Sequence, residues 1–220
     1  MTQAQRPSAM MVADYSRLAT STIGNVLDEL GVSGLIVNLR PLVPGRPFCG
    51  PATTARGICG PFGTYGPADF RVGAILDAAA PGDVVVIANN GAQVSTWGGL
   101  ASLAAKTKGL VGTVIDGGAR DVEEVDEHGY SIYARHLVPT GGRKRIRIEE
   151  IGAPVMVDGV EVSPGDIIVA DGTGIACVPL AQADAVLAMA RQFDANDRKS
   201  ARLIEQGTSL SDAMRRYDTI

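Results

Sequence analysis

The chain has 220 residues, of which 45% are hydrophobic, so it is long and apolar enough to bury the core of one domain. Its formal net charge of −4 argues against the broad basic surface that binds nucleic acid or an anionic membrane, so neither is expected as a partner. No apolar run approaches the roughly 18 residues of a membrane-spanning helix, and the three cysteines form no C-x-x-C pair, so we expect a cytoplasmic protein without disulfides.

The first half of the sequence predicts an arm followed by alternating helices and strands. Residues 1–12 are predicted to be a loose N-terminal arm, and the first helix covers residues 20–30. Thr20 or Ser21 supplies a hydroxyl cap for this helix, and Gly31 ends it. A proline-rich connection leads to three further elements: a strand over residues 52–58, a helix over residues 68–79 and a Val/Ile-rich strand over residues 83–88.

The second half continues this alternation. A polar loop over residues 89–96 is followed by four elements: a helix that begins at Gly98, a buried strand over residues 112–115, a helix over residues 122–127 and a strand over residues 131–134. Residues 154–178 alternate short strands with turns, and Asp158-Gly159 has the composition of a two-residue hairpin turn. Helices are predicted within residues 181–220. Since no linker divides the sequence, we predict a single α/β domain over residues 1–220.

One segment places opposite charges directly behind a buried strand. The strand over residues 112–115 runs into a predicted turn at Gly117-Gly118, and Arg120 and Asp121 follow at once. The carboxylate of Asp121 can hold a hard metal ion, and the guanidinium of Arg120 can hold an oxyanion. The same two residues also fit an ordinary turn in which Asp121 caps the next helix.

A second segment, Gly98-Gly99, lies at the predicted start of the helix one element earlier. Backbone N–H groups at a helix start are unpaired, and glycine leaves them accessible, so this segment can cradle a carboxylate or phosphate. The glycines are equally compatible with close packing of the helix on a strand. Together with Arg120 and Asp121, the segment suits a 2-oxo acid, which needs a carboxylate cradle, a cation near its oxo group and a metal ion across both oxygens.

The spacing of these residues is G-x20-R-D-x2-E, formed by Gly99, Arg120, Asp121 and Glu124. With this spacing the chain resembles the RraA-like family, which includes 4-hydroxy-4-methyl-2-oxoglutarate/4-carboxy-4-hydroxy-2-oxoadipate aldolases and the ribonuclease E activity regulator A. The resemblance covers most of the chain and extends to four segments, namely the helix over residues 20–30, the core over residues 114–121, the turn over residues 157–159 and residues 164–174. It implies an α/β fold of the swivelling β/β/α three-layer sandwich type.

The resemblance also implies a function and a site. The implied enzyme is a divalent-metal-dependent class II aldolase, a lyase that cleaves 4-hydroxy-2-oxo di- and tricarboxylic acids to pyruvate and a second oxo acid. Decarboxylation of oxaloacetate is the implied side activity. Arg120 and Asp121 are the implied catalytic residues, with Asp121 as the ligand of Mg²⁺ or Mn²⁺. Five residues are implied to bind substrate: Gly98, Gly99, Leu100, Ala101 and Arg120.

The sequence departs from several aldolases of the family at Gly99. Those aldolases carry an acid at this position, which can act on the proton that quenches the enolate. Without that acid, solvent is expected to take over this step. Two other acids are candidates for supporting roles. Glu124 lies one helical turn after Asp121, where it orders water at the metal or is a plain surface acid. Asp116 supports Asp121 or Arg120, or it only shapes the turn.

The family resemblance also leaves a different function open, that of a non-enzymatic regulator which binds and inhibits a ribonuclease. The pair Arg120-Asp121 favours the enzyme, because a purely interacting protein needs no metal ligand beside an oxyanion-binding cation. A homo-oligomer, either a trimer or a dimer of trimers, is implied as well. The cationic run over residues 143–147 is either a solvated loop and edge strand or an anion-binding segment. Trp97 either lines the pocket or packs under the helix that follows it.

Overall fold

The computed structural model describes residues 5–217. The α-helices within these residues are α1 (Ala9–Tyr15), α2 (Thr20–Glu29), α3 (Val72–Ala78), α4 (Gly99–Lys108), α5 (Val122–His128), α6 (Ala183–Glu205) and α7 (Leu210–Tyr217). The strands are β1 (Leu35–Ile36), β2 (Arg40–Pro41), β3 (Phe48–Cys59), β4 (Val84–Trp97), β5 (Gly112–Ala119), β6 (Ile132–Leu137), β7 (Ile146–Ile151), β8 (Val155–Val157), β9 (Val160–Val162), β10 (Ile167–Ala170) and β11 (Ile175–Val178).

The centre of the fold is a sheet in which β3, β4, β5 and β6 run parallel to one another. Antiparallel strands extend it on both sides, since β10, β11 and β1 follow β3 in order and β2 pairs with β6. β7 pairs antiparallel with the second half of β3. Because β4 and β5 are parallel neighbours, the helices that follow them, α4 and α5, start at the same edge of the sheet.

The sheet is covered on both faces, which gives three layers. A core that includes Trp97, Ile115 and Val125 lies between the sheet and the α3–α5 side. On the opposite face, the valines of the β8–β9 hairpin pack with a core that includes Val86 and Val114. Residues of α2 and α6 form a third core with β10 and β11. Within the described residues, no helix is long and apolar enough to cross a membrane.

The predicted loose arm over residues 1–12 is wrong for residues 9–12, which belong to α1. Ser8 caps this helix, since its side-chain oxygen accepts a hydrogen bond from the backbone N–H of Met11. The helix is anchored at its other end by the buried Tyr15, whose hydroxyl donates to the carbonyl of Ala183 over 2.7 Å. Residues 1–4 lie outside the described part of the chain.

The predicted polar loop and the predicted Gly117-Gly118 turn are also wrong, because strands continue through both segments. Residues 89–96 belong to β4, and Gly117 and Gly118 belong to β5. The two strands stay paired by means of shifts in register, with Ala92 opposite Gly117 and Ser95 opposite Gly118. The glycines serve close packing and not a turn, since a Cβ atom on Gly118 would lie 2.8 Å from the carbonyl oxygen of Val94.

Candidate functional site

The last residues of β4 and β5 bring the two sequence motifs together. Trp97 pairs with Ala119 across the parallel strands, and the backbone N–H of Arg120 donates to the carbonyl of Trp97 over 3.1 Å. Immediately beyond this pair, Gly98 is the N-cap of α4 and Asp121 is the N-cap of α5. Residues more than 20 positions apart in sequence therefore meet at one edge of the sheet.

Asp121 occupies a cap position without performing the capping role. Its backbone is left-handed, with φ 58° and ψ 48°, and its side chain makes no cap hydrogen bond to α5. One carboxylate oxygen, Oδ2, instead accepts a hydrogen bond from the backbone N–H of Gly99 over 3.1 Å. A left-handed conformation in a non-glycine residue is uncommon and costs free energy, and such residues cluster at functional sites.

The two glycines at the start of α4 make room for carboxylates. A Cβ atom on Gly98 would lie 3.2 Å from the carboxyl carbon of Asp121. A Cβ atom on Gly99 would lie 2.8 Å from the carboxyl carbon of Glu124 and 2.9 Å from its Cβ. The side chain of Glu124 therefore fills the space that a side chain on residue 99 would need. The two acids Asp121 and Glu124 both lie against the start of α4.

Arg120 lies beside Asp121 and beside a glycine of another segment. Its Nε lies 3.4 Å from Oδ2 of Asp121, and 47% of its side chain is exposed. A Cβ atom on Gly141 would lie 3.1 Å from Nη1 of Arg120. The absence of a side chain at Gly141 thus leaves the guanidinium accessible, so that it can hold an oxyanion by two parallel hydrogen bonds.

These groups line one cavity of about 790 Å³, which is within the usual range for small-molecule sites. Six residues predicted from the sequence contribute to its wall: Trp97, Gly98, Leu100, Ala101, Arg120 and Asp121. Glu124 also lines it, whereas Gly99 lies buried beneath that side chain. Trp97 both lines the cavity and packs under α4. It is 1% exposed, and its indole N–H donates to Ser102 of α4.

Asp116 is directed away from this cavity. Its carboxylate accepts a hydrogen bond from Nε of Arg135 over 2.6 Å and one from the backbone N–H of Asp158, and within the described residues it contacts neither Arg120 nor Asp121. The reason is strand alternation, because Val114 packs on the β8–β9 side and Asp116, two residues later, faces the same way. The expectation that Asp116 supports Arg120 or Asp121 is therefore wrong.

Part of the cavity wall was not predicted from the sequence. Phe62 and Phe70 contribute apolar surface from the segment before α3, and Gly141, Arg143 and Arg145 contribute from the turn before β7. The cationic run was visible in the sequence, but only the fold shows which of its members face the cavity. Arg143 and Arg145 do so, whereas Arg147 lies in β7 and pairs with Glu149 over 3.0 Å.

A metal ion held by one carboxylate fits this site. The described residues contain no group of three or more His, Cys, Asp or Glu side chains that could enclose a metal. Mg²⁺ does not need such a group, because it usually binds through one or two carboxylates and keeps several waters or substrate oxygens. Asp121 meets this requirement, since its carboxylate is 35% exposed and lines the cavity, and its Oδ1 forms no hydrogen bond within residues 5–217.

Comparison with known proteins gives a consistent result. Residues 20–177 match the family model described as RraA-like, Aldolase/RraA. Protein DlpA of Legionella pneumophila is 28% identical over 90% of this chain, although the chain spans only 32% of its length. A Halalkalibacterium halodurans protein, provisionally named as a 4-hydroxy-4-methyl-2-oxoglutarate aldolase, is 30% identical over 88% of each chain.

A solved structure supports the fold. The crystal structure of RraAS2 from Streptomyces coelicolor, described as an unusual member of the RNase ES inhibitor RraA protein family, has a TM-score of 0.75 and 26% identity. The match covers 92% of this chain and 98% of that one. The α/β fold predicted from the sequence resemblance is thereby confirmed.

Proposed function

This chain belongs to the RraA-like family, and we propose that it is a divalent-metal-dependent aldolase of 4-hydroxy-2-oxo di- and tricarboxylic acids. The products are pyruvate and a second oxo acid, and oxaloacetate decarboxylation is a side activity. The observation that carries the proposal is the meeting of Arg120, the left-handed Asp121 and the start of α4 around one cavity. The provisional aldolase name of the Halalkalibacterium relative supports the same reaction.

The start of α4 is the proposed binding place for the carboxylate next to the oxo group. The first N–H groups of a helix have no partner within the helix and attract anions. The N–H of Gly99 is already bonded to Asp121, so the N–H groups of Leu100 and Ala101 are the ones directed to substrate. The substrate reaches this backbone from the cavity, whose wall includes Leu100 and Ala101.

Arg120 and Asp121 act on the oxo group. A divalent cation held by Asp121 would polarise this group as a Lewis acid. When the bond between C3 and C4 breaks, its electrons move to the C2 oxygen and produce the enolate of pyruvate. The guanidinium of Arg120 stabilises this growing negative charge, and a positioned donor of this kind is among the larger contributions to catalysis. Decarboxylation of oxaloacetate produces the same enolate, which explains the side activity.

Glu124 is the proposed proton carrier. Its carboxylate lies where a side chain on residue 99 would lie, and that is the position at which several aldolases of the family carry an acid. In the ionised form Glu124 accepts the proton of the 4-hydroxyl group as C3–C4 cleavage begins. Afterwards it returns a proton to C3 of the enolate, which gives pyruvate. Glu124 therefore replaces solvent, which the sequence alone suggested for this step.

The test is an assay of pyruvate release with Mg²⁺ or Mn²⁺ over a panel of 4-hydroxy-2-oxo acids and oxaloacetate. We expect release from at least one hydroxy acid, with loss of activity on chelation of the metal. Glu127→Ala is a suitable control variant, because Glu127 is exposed on α5 and does not line the cavity. A purified protein that releases no pyruvate from any of these compounds with either metal would disprove the proposal.

The alternative, a regulator that inhibits a ribonuclease, stays a prediction. Its support is the Streptomyces protein RraAS2, which is named as an unusual member of a family of RNase ES inhibitors. Inhibition of a ribonuclease by surface contact would not require the left-handed backbone of Asp121 or a cavity lined by Arg120. These features favour the enzyme, and the pyruvate assay separates the two functions.

A further inference from the structure

The turn over residues 141–145 forms one wall of the cavity and is held firmly in place. Gly141 pairs with Ser95 of β4, and the backbone N–H of Ser95 donates to the carbonyl of Thr140 over 2.8 Å. The carbonyl of Gly142 accepts hydrogen bonds from the N–H groups of Arg145 and Ile146, both over 2.8 Å. The backbone of this turn therefore has a fixed position relative to Arg120, whose guanidinium lies against Gly141.

Two of the three cations in this turn are engaged with Phe62. The Arg145 guanidinium lies 4.8 Å from the ring centroid of Phe62, and Nζ of Lys144 lies 5.4 Å from it. Arg145 also donates to the carbonyl of Gly141 over 3.1 Å. The side chain of Arg143 lines the cavity, and within residues 5–217 it forms no hydrogen bond, ion pair or ring contact.

The charge of the cavity is suited to a substrate with more than one carboxylate. Among the described residues, its wall includes three arginines, Arg120, Arg143 and Arg145, but only two acidic residues, Asp121 and Glu124. A divalent cation held by Asp121 would increase this excess of positive charge. In the proposed function, Arg120 and the start of α4 bind the carboxylate and oxo group at one end of the substrate, and Asp121 would hold the metal there. The cationic turn then faces the other end of the molecule.

We propose that Arg143 binds the distal carboxylate of the substrate and makes the site selective for 2-oxo acids that carry one. The inference rests on the proposed function for the placement of the first carboxylate at α4. Arg143 is well suited to the role because a planar guanidinium binds a carboxylate through two parallel hydrogen bonds. Arg145 supports this role of Arg143 by holding Phe62 and the turn in place.

The test compares the binding of two non-cleavable ligands that differ only at the distal end. 2-Oxoglutarate carries a second carboxylate, whereas 2-oxopentanoate has the same five-carbon chain with a methyl group in its place. Isothermal titration calorimetry with Mg²⁺ should show tighter binding of 2-oxoglutarate to the wild type by on the order of 10-fold, as expected for a charge-assisted hydrogen bond in a partly exposed site. Arg143→Ala should reduce this preference to nearly none, and Arg143→Lys should keep part of it.

Arg147→Ala is the matched control, because Arg147 is a nearby arginine that pairs with Glu149 and does not line the cavity. This variant should keep the wild-type preference. Equal binding of both ligands to the wild type, binding of neither, or an unchanged preference in Arg143→Ala would overturn the inference. Because neither ligand can be cleaved, a preference that depends on Arg143 in a protein that releases no pyruvate would disprove the aldolase function and leave the binding role standing.

Discussion

Oδ2 of Asp121 accepts a hydrogen bond from the backbone N–H of Gly99, although the two residues are 22 positions apart. This bond joins the first residue of α4 to the N-cap residue of α5. It also holds the carboxylate of Asp121 away from the cap of its own helix. The proposed metal ligand and the proposed anion-binding backbone are thus fixed side by side, which is the arrangement that a chelated 2-oxo acid requires.

The first prediction concerns the metal. Chelation by EDTA should abolish pyruvate release, and Mg²⁺ or Mn²⁺ should restore it, because Asp121 is the proposed ligand of the ion that polarises the oxo group. Asp121→Ala should lose metal-dependent activity while its circular dichroism spectrum stays that of the wild type. Full activity after exhaustive chelation, or normal turnover by Asp121→Ala, would contradict the metal-dependent mechanism.

The second prediction concerns the geometry of Arg120. Arg120→Lys keeps the charge but loses the planar pair of donors, so kcat/KM should fall by on the order of 10²-fold, similar to the loss of one positioned oxyanion donor. Steady-state kinetics with the preferred hydroxy acid would measure this. Wild-type activity in Arg120→Lys would show that Arg120 holds the structure and does not act on substrate.

The third prediction concerns the space shared by residues 99 and 124. Gly99→Asp should be destabilised by about 1–3 kcal/mol, the usual cost of overpacking, because its Cβ would lie 2.9 Å from the Cβ of Glu124. The double variant Gly99→Asp/Glu124→Gly should regain stability and part of the activity, since it moves the acid from one side of this space to the other. Thermal unfolding and pyruvate release would measure the two effects.

A second measurement tests the proton transfer itself. Glu124→Gln keeps the shape of the side chain but cannot carry a proton, so kcat should fall by on the order of 10²-fold. The solvent deuterium incorporated into pyruvate should also change if residue 124 delivers the proton to the enolate. If Glu124→Gln matches the wild type in both measurements, Glu124 is a plain surface acid.

The fourth prediction concerns stability at low pH. Burial opposes ionisation of Asp158, but hydrogen bonds from the side chain and backbone of Asn38 and from Arg135 outweigh this effect and lower its pKa to about 2. A lowered pKa in the folded state adds stability that is present above the ordinary aspartate pKa of 3.8 and is lost as the pH falls toward 2.

Asp158→Asn is the test variant, because asparagine also tolerates the left-handed backbone, φ 52°, at this position. Its free energy of unfolding should fall below that of the wild type at pH 6, and the difference should shrink between pH 4 and pH 2. A difference that does not depend on pH would mean that the charge of Asp158 contributes nothing. The comparison can be made by denaturant titration at each pH.

The fifth prediction concerns assembly, which we propose to be a trimer or a dimer of trimers. Leu100 is 83% exposed and Leu137 is 60% exposed, so large apolar side chains lie uncovered beside the candidate site. Light scattering should give at least three times the chain mass of 22.8 kDa. Leu137→Glu should lower this mass, and a wild-type monomer at working concentration would refute the proposal.

Local signals in the sequence determined a large part of this fold. The helix predicted for residues 20–30 is observed as Thr20–Glu29, and the Asp158-Gly159 turn has both residues at positive φ between β8 and β9. The motif residues Gly98, Arg120 and Asp121, which the sequence assigns to one site, line one cavity. Apolar periodicity and turn composition act over short distances along the chain, so the sequence alone expresses them.

The features of the fold and site that local signals do not predict depend on contacts between residues distant in sequence. The backbone N–H at the start of α2 is bound by Asp171, 151 positions away, and not by a hydroxyl of its own segment. Asp116 pairs with Arg135, and Glu124 occupies the space beside Gly99. Residues 89–96 are polar, yet pairing with β5 keeps them in a strand. In each case a partner supplied by another element outweighs local propensity, and only the tertiary structure specifies that partner.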